Sequence, residues 1–269
     1  MTGPAPDAPL VDTHAHIWRL DMPRTGTAWH HPPSDALAED YIATLDAAGV
    51  HFGVIAAASL FGDYNDYIVD ALRRHKRLRA TAIVEPEISA LSLRQLSSEG
   101  IVGIRFQFRN VASPPDLRSF AYRRLLRRVA DLGWHVHLHD EGKRLPDYID
   151  AILSAGPRLV IDHFGRPDPQ GGAASDGFKA VLRAIEGGRT WVKLSAAFRL
   201  TPPVGAKEVA DVLLRHAGPE RLMWGSDWPF AAFEERVTYQ NVLDDFRGYV
   251  PDPNVRRAMD RTALAFYFS

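Results

Sequence analysis

The segment LVDTHAHIW, residues 10–18, is a short apolar run that carries two histidines one residue apart, His14 and His16. Val and Ile favour strands, and alternation along a strand would put Asp12 on the same face as both histidines. Taken alone, the pair fits two interpretations equally well: a catalytic or metal-binding pair, and two histidines packed in a core. The pattern along the rest of the chain decides between them.

Seven further runs of similar length and composition follow. They are HFGVIAAAS from 51, LRATAIVE from 78, IVGIRFQF from 101, WHVHLHD from 134, RLVIDHF from 158, TWVKLSA from 190 and RLMWGSD from 221. Each run predicts a strand, and segments with helical periodicity separate them, several ending in glycine. In one of these segments the spacing predicts that Phe120, Leu125, Val129 and Leu132 lie near one apolar stripe. A last helix is predicted from about Pro253.

Strands that alternate with helices in this way predict parallel strands joined by crossovers. We predict an α/β fold, a single-domain (β/α)₈ TIM barrel over residues 10–269 with an extra C-terminal helix. Residues 1–9 are predicted to be a flexible leader. The alternative, an open doubly wound sheet, needs a glycine-rich phosphate loop after an early strand, and the sequence has none.

The composition excludes several classes of protein. Of 269 residues, 46% are hydrophobic and 24% charged, and the formal net charge is −1, so no basic balance indicates nucleic acid or a membrane surface. Cys is absent, which leaves His, Asp and Glu to hold any metal. No apolar run approaches the roughly 20 residues of a membrane span. The first residues do not form a secretory signal, so we expect a cytoplasmic protein, monomeric or homo-oligomeric.

In a TIM barrel the catalytic groups lie at the carboxyl ends of the strands. Alternation predicts that this mouth gathers four histidines, one carboxylate and at least two arginines: His14, His16, His139, His163 and Asp227, with the arginines drawn from Arg105, Arg109 and Arg199. Neutral imidazoles beside a carboxylate suit a divalent metal such as Zn²⁺, and they equally suit acid–base chemistry near neutral pH. The arginines indicate an anion, most simply a carboxylate.

The same alternation makes predictions about the barrel interior. His163 should share a face with Leu159 and Ile161. Lys193 should point inward and pair with Asp12.

The remaining histidines receive weaker assignments. His135 and His137 are expected to be packing residues of the fifth strand. His30 and His31 lie in the long loop after the first strand, which is long enough to act as a lid, and their role is left open.

Four segments, DTHAHIW, VIDHFGRPD, WVKLSAAFRL and LMWGSDWPF, occur in this order and together resemble the amidohydrolase superfamily. The resemblance is closest to its branch of 2-pyrone-4,6-dicarboxylate lactonase-like hydrolases, and it extends from about residue 10 to the C-terminus. It implies a TIM barrel that hydrolyses a lactone.

The resemblance also implies roles for single residues. His14, His16 and His163 match active-site histidines of the family, and Asp227 matches the carboxylate that acts as general base on water. The substrate-contacting positions are Arg105 and Arg199, which would hold carboxylates, together with Ser59 and, as a looser match, Arg109. Apart from the resemblance, His139 is predicted to contact substrate from the fifth strand.

This chain departs from the superfamily pattern in ways that bear on the cofactor. Many members bridge two metals through a Lys or Glu at the end of the fourth strand, where this chain has RFQF at 105–108, so a binuclear site is not expected. Lactonases of this branch work without a divalent metal, whereas mononuclear relatives use a fifth-strand histidine. We therefore expect either no cofactor or a single Zn²⁺ held by His14, His16, His139 and Asp227.

These observations predict a hydrolase in which Asp227 activates water to open a small lactone bearing carboxylates. The partner would be an anionic small molecule, with no nucleic acid and no membrane involved. A 2-pyrone-4,6-dicarboxylate-like lactone, a muconolactone and a sugar lactone all remain open, because a tyrosine of the dicarboxylate lactonase is not evident here. Two alternatives are a mononuclear metal-dependent decarboxylase of the same superfamily and a non-catalytic barrel that binds carboxylates.

Overall fold

The computed structural model describes residues 8–202 and 204–269, so most of the expected leader, residues 1–7, lies outside the described part. Eight strands form one parallel sheet in sequence order. They are β1 (Val11–Ala15), β2 (Phe52–Ala56), β3 (Leu78–Ala82), β4 (Ile101–Gln107), β5 (His135–His139), β6 (Arg158–Ile161), β7 (Thr190–Ser195) and β8 (Leu222–Gly225). The predicted TIM barrel is confirmed.

Helices follow the strands in the order that the periodicity predicts. They are α1 (Ala38–Ala48), α2 (Asp66–Arg74), α3 (Ala90–Ser98), α4 (Phe120–Asp131), α5 (Leu145–Ala155), α6 (Asp176–Glu186), α7 (Ala206–Ala217), α8 (Tyr239–Tyr249) and the extra helix α9 (Pro253–Tyr267). Gly49 ends α1 and Gly156 ends α5, both with the left-handed backbone that glycine adopts without strain. Within the described part of the chain, no helix has the length and apolar character to cross a membrane.

One helix packs differently from the prediction. Leu125 and Val129 are fully buried in α4, but the side chain of Phe120 is 70% exposed. A helix turns by about 100° per residue, so Phe120 lies about 180° around the axis from Val129. The prediction that Phe120 shares the apolar stripe is therefore wrong.

The barrel closes where β8 meets β1, at the level of the histidine pair. The backbone N–H of Asp227 donates to the carbonyl of His14, and that of His16 donates to the carbonyl of Trp228, both at 2.7 Å. Gly225 ends β8, and a Cβ at this position would lie 2.6 Å from the Cβ of His14. Glycine therefore permits the close approach of the two strands, and the seam brings residues 14–16 against residues 226–228.

Helix α9 covers the amino-terminal end of the barrel. Its aromatic residues Phe266 and Tyr267 cluster with the inward-facing Val11 and Val160. The ring of His135 packs against both aromatic rings, with centroid distances of 5.0 and 5.3 Å. His135 is a packing residue, as expected, and the extra helix is the floor beneath the polar interior.

The first strand contradicts simple alternation. Asp12 accepts hydrogen bonds from the N–H and hydroxyl of Ser226, at 2.8 and 2.6 Å, and from the hydroxyl of Tyr239 on α8 at 3.1 Å. Its carboxylate therefore faces the outer helices. The register of β1 shifts between Asp12 and Ala15, and this irregularity turns His14 inward. The prediction that Asp12 shares the face of the histidine pair is wrong.

Two further predictions, about the partner of Lys193 and the face of His163, are also wrong because the backbone is irregular nearby. Lys193 points inward but donates to the carbonyl of Thr13 at 2.5 Å, because Asp12 has turned away. Leu159 and Ile161 pack in the outer core with the helices, so neither shares the face of His163. His163 lies beyond the end of β6 with φ 50°, and this left-handed residue takes it out of the strand pattern.

The carboxyl of Asp260 on α9 predicts a dependence of stability on pH. It accepts from the N–H of Leu10 at 2.8 Å, and burial raises its pKa to about 6. Since the folded state favours the protonated form, this contribution to stability is full below about pH 4 and is lost as the pH rises through about 6. Asp260→Asn should therefore raise Tm by about 4 °C more at pH 8 than at pH 5.

Thermal unfolding of both proteins at the two pH values checks this. Asp176→Asn is a matched control, because the Asp176 side chain is fully exposed. An equal Tm difference at both pH values would contradict the prediction.

Candidate active site

The histidine pair and Asp227 form a compact triangle at the mouth of the barrel. The Nε2 atoms of His14 and His16 lie 3.3 Å apart. Asp227 Oδ1 is 3.4 Å from the first and 3.3 Å from the second. All three side chains are buried. The structure thus brings together three of the residues that the sequence predicts.

The other nitrogen of each imidazole is held by an oxygen. Nδ1 of His16 donates to the carbonyl of Ala56 at 2.6 Å, and Nδ1 of His14 lies 3.1 Å from a carboxylate oxygen of Asp162. Because both partners are acceptors, each Nδ1 carries the hydrogen and each Nε2 presents a lone pair. Two lone pairs and a carboxylate oxygen therefore face one another, which is a donor set that fits one divalent cation.

Three histidines of the site, His14, His139 and His163, are neutral at physiological pH. Burial lowers the pKa of His14 to about 4, although the neighbouring Asp162 opposes the shift. Burial also holds the pKa of His139 and His163 well below the usual range. Neutral imidazoles can act as metal ligands or as hydrogen-bond donors.

Asp227 is an ionised carboxylate with two different oxygens. Oδ1 faces the histidines, and Oδ2 accepts from Nε of Arg199 at 2.5 Å. Burial alone would raise the pKa of Asp227, but Arg199 and the surrounding imidazoles outweigh it and hold the pKa well below the usual range. The backbone of Asp227 has φ 69°, and this turn directs the side chain from the end of β8 into the mouth.

His163 completes the predicted set from the opposite side of the barrel. Its Nδ1 is 2.9 Å from the hydroxyl of Ser195 on β7, and its Nε2 is 3.9 Å from Asp227 Oδ1. His163 and the next residue, Phe164, both have positive φ, which the following Gly165 shares. The tight turn after β6 therefore aims this imidazole at Asp227.

Asp162 is a central residue of the site that the sequence analysis missed. It is fully buried and contacts His14, His137 and Arg105. The two histidines outweigh the effect of burial and hold the pKa of Asp162 well below the usual range. The sequence did contain a signal for an inward-facing Asp162, because this residue directly precedes His163 and alternates with the outward-facing Ile161.

Arg105 and Arg199 both reach the cavity, and both are partly engaged. Arg105 donates to the carbonyl of Ala57 at 2.7 Å and lies 3.5 Å from Asp162, but its buried Nε has no hydrogen-bond partner among the described residues. Arg199 donates to Asp227 and, at 2.9 Å, to the carbonyl of Ala231. The two guanidiniums therefore stand beside the general-base candidate.

His139 lies apart from the triangle. Its ring stands against that of His163, with 4.6 Å between centroids, and the ligand atoms of these two residues group with Asp162. Neither nitrogen of His139 has a hydrogen-bond partner in the described part of the chain. A neutral imidazole carries one N–H, so His139 has a donor available to a molecule in the cavity.

A cavity of about 170 Å³ lies above these groups. Ser59 lines it and accepts from the indole of Trp29 at 3.4 Å. The long first loop contributes Trp29 to the wall, whereas His30 pairs with Glu234 at 2.7 Å and His31 is exposed. The loop therefore reaches the cavity through a tryptophan and not through its histidines.

Two charged residues at the mouth, Glu141 and Arg166, were not predicted from the sequence. Arg109 lines the cavity as predicted, but its Nε is 2.7 Å from a carboxylate oxygen of Glu141. The second arginine beside Glu141 is Arg166, which also lines the cavity. Arg166 lies in the segment VIDHFGRPD, three residues after His163, so the motif itself was the signal.

Comparison with known proteins now fixes the family. A family model described as amidohydrolase matches residues 11–268. The chain belongs to this amidohydrolase family. The resemblance seen in the sequence is thereby confirmed.

Two curated relatives of this amidohydrolase are similar over most of their length. A 2-pyrone-4,6-dicarboxylate hydrolase from Comamonas testosteroni is 31% identical, covering 89% of this chain and 83% of the relative. A 4-sulfomuconolactone hydrolase from Rhizobium radiobacter is 30% identical, covering 82% of this chain and 76% of the relative.

A solved structure agrees in fold over nearly the whole chain. It is described as a probable 2-pyrone-4,6-dicarboxylic acid hydrolase from Acinetobacter baumannii with citric acid bound. It is 27% identical, with a TM-score of 0.90, and the match covers 97% of this chain and 99% of that one.

The contacts of Asp162 predict a large loss of stability when its charge is removed. Asp162→Asn would leave His14, His137 and Arg105 without their shared anion, and breaking a buried network in this way costs about 3 kcal/mol of unfolding free energy. Urea denaturation measures the change against wild type. Asp176→Asn serves as the exposed control, and an unchanged midpoint for Asp162→Asn would contradict the prediction.

Proposed function

We propose that the protein is a hydrolase that opens a small lactone bearing a carboxylate, with Asp227 as the base that activates water. One observation carries the proposal: an ionised carboxylate at the floor of a cavity faces three imidazoles, while arginines line the walls. The names of two relatives support the substrate class, since both denote hydrolases of a pyrone or a lactone.

Asp227 would take the proton of the attacking water at Oδ1. Oδ2 is occupied by Arg199, so the oxygen that faces the histidines is the one available. The low pKa keeps Asp227 ionised and thus ready to accept a proton. If a substrate carboxylate draws Arg199 away from Oδ2, the pKa of Asp227 rises, and the base strengthens when the substrate is bound.

Arg105 and Arg199 would hold the carboxylate of the lactone. Arg105 lines the cavity and its Nε has no hydrogen-bond partner among the described residues, and Arg199 can exchange its contact with Asp227 for one with substrate. A bidentate guanidinium contact fixes the orientation of the ring and brings its carbonyl over Asp227. Ser59 adds a hydroxyl on the neighbouring wall.

Imidazoles would stabilise the oxyanion that forms at the ring carbonyl. Within the described residues the N–H of His139 has no hydrogen-bond partner, and His139 lines the cavity beside His163, so these two are placed to donate to an oxygen above Asp227. His14 and His16 present lone pairs to this region, so they would contribute only as ligands of a bound cation. Removing one such donor typically lowers the rate about 10²–10³-fold.

A single divalent cation fits the donor set of the site. His14 and His16 would hold it through Nε2 and Asp227 through Oδ1, since these three atoms lie within 3.4 Å of one another. When bound, such a cation lowers the pKa of water and polarises a carbonyl. His139 groups with His163 and Asp162 instead, so its role in this proposal is donation to substrate.

The two alternatives make different demands. A metal-dependent decarboxylase would need His139 as a ligand beside the histidine pair, and full activity after exhaustive chelation would exclude it. A non-catalytic carboxylate-binding barrel has no use for an ionised base facing three imidazoles. The non-catalytic alternative would be favoured if the protein bound carboxylates tightly but opened no lactone in a broad panel.

Asp227→Asn should abolish turnover while leaving substrate binding measurable. The amide cannot accept the proton of water, and we expect kcat for a carboxylate-bearing lactone to fall by about 10³-fold or more. A pH-indicator assay measures kcat, and calorimetry measures Kd for the same lactone. Asp63→Asn, exposed and outside the cavity, is the control. A rate within threefold of wild type would overturn the assignment of Asp227.

Metal binding can be tested without reference to activity. Zn²⁺ added to chelator-treated protein at about 100 times its Kd should stabilise the fold by about 2.7 kcal/mol, seen as a rise in Tm. The rise should vanish when both His14 and His16 are replaced by Asn and persist in His31→Asn, whose side chain is exposed. Equal rises in all three proteins would contradict the site, and no rise in wild type would favour hydrolysis without a metal.

A further inference from the structure

Two arginines at one side of the mouth share a single carboxylate. Arg109, which follows β4, lies 2.7 Å from Glu141 Oε1, and Arg166, which follows β6, lies 4.0 Å from Glu141 Oε2. Both arginines line the cavity. The side chain of Arg166 is 93% buried, and its Nε has no hydrogen-bond partner within the described ranges. Glu141 does not itself line the cavity, and it neutralises two guanidiniums that an anionic group of a ligand could otherwise use.

The backbone holds Glu141 in this position from both sides. The N–H of Gly142 donates to the carbonyl of Arg166 at 3.1 Å. A Cβ at residue 142 would lie 2.4 Å from that oxygen, so the close approach requires glycine. On the other side Arg144, paired with Asp140, donates to the carbonyl of Phe108 at 2.9 Å. The loop after β5 is thus tied to the loops after β4 and β6, and Glu141 projects between them.

The charges at the mouth show what Glu141 changes. Four guanidiniums reach the cavity, from Arg105, Arg109, Arg166 and Arg199. Three carboxylates face them, since Asp162 lies beside Arg105, Asp227 beside Arg199, and Glu141 between the other two. These seven groups leave one positive charge in excess. Burial and the nearby Arg109 lower the pKa of Arg166 to about 10, so Glu141 compensates a repulsive pair.

We propose that Glu141 is a specificity-determining residue that limits the negative charge of the substrate. It occupies the Arg109–Arg166 pair, so the cavity prefers a lactone with one carboxylate, held by Arg105 and Arg199, over a lactone with a second anionic group on the Glu141 side. This inference rests on the proposed function, because it names the charge class of the substrate of the same site. A substrate anion near Glu141 would meet a like charge and would have to displace it from both arginines.

Three substrates that share the same pyrone ring and differ only in their carboxylates test the proposal. They are 2-pyrone-6-carboxylate, 2-pyrone-4-carboxylate and 2-pyrone-4,6-dicarboxylate. Wild type should show a higher kcat/KM for at least one monocarboxylate than for the dicarboxylate. Glu141→Gln removes the charge and keeps the shape, and it should raise the dicarboxylate-to-monocarboxylate ratio of kcat/KM by about tenfold. Glu141→Asp, which keeps the charge, should leave the ratio nearer to wild type. Tm measured for each variant confirms that the fold is retained.

A matched control separates local from general effects of charge. Glu234→Gln removes the same charge at the same mouth, but Glu234 pairs with His30 and contacts neither arginine. It should leave the ratio within twofold of wild type. Higher salt should reduce the discrimination of wild type more than that of Glu141→Gln, because screening weakens repulsion between partly exposed charges.

Binding of substrate analogues makes the test independent of turnover. Calorimetric titration with benzoate and isophthalate, which carry one and two carboxylates, reports the charge preference even if no lactone is opened. If no pyrone is opened while benzoate binds more tightly than isophthalate, the proposed function fails and the charge preference stands. A dicarboxylate preference in wild type, or equal ratios for wild type and Glu141→Gln, would overturn the inference and leave Glu141 as a structural ion pair.

Discussion

Two backbone hydrogen bonds join the end of the last strand of the barrel to the first, and both lie within the candidate active site. The N–H of Asp227 donates to His14, and the N–H of His16 donates to Trp228. The bonds that close the barrel therefore also fix the distance from the general-base candidate to the histidine pair. Gly225 permits this contact, since any Cβ there would overlap His14. The fold and the geometry of the candidate site depend on the same seam, and a shift of one strand against the other would separate Asp227 from the histidine pair.

Two buried carboxylates, those of Asp162 and Asp227, lie close to this seam. Asp162 and Asp227 are both fully enclosed, and an isolated carboxylate in such a place would take up a proton. Each instead has partners that keep it ionised: His14, His137 and Arg105 for the first, Arg199 and the histidines for the second. The arrangement leaves His14, His139 and His163 neutral and Asp227 charged, which is the combination that water activation and metal binding both require.

Sequence periodicity was sufficient for the fold and for most of the mouth, because both follow from local rules. Eight apolar runs and glycine-ended helices predict the barrel, and strand ends predict His14, His16, His163 and Asp227. The rules fail where the backbone departs from a regular strand. The irregularity in β1 turns Asp12 outward, and the left-handed residue at 163 separates it from the pattern of β6. Alternation with Ile161 could have placed Asp162 in the interior, but the partners of Asp162 and of Glu141 are distant in sequence and meet only in the closed barrel, so local periodicity does not predict these pairings.

The most direct test of the mechanism is a crystal structure of the Asp227→Asn variant with an unopened carboxylate-bearing lactone. We predict that the lactone carboxylate contacts Arg105 and Arg199, and that the ring carbonyl carbon lies within about 4 Å of the mutated side chain, with room for one water between them. A lactone bound with its carboxylate against the histidine pair, and with its carbonyl turned away from position 227, would contradict the assignment of Asp227 as the base.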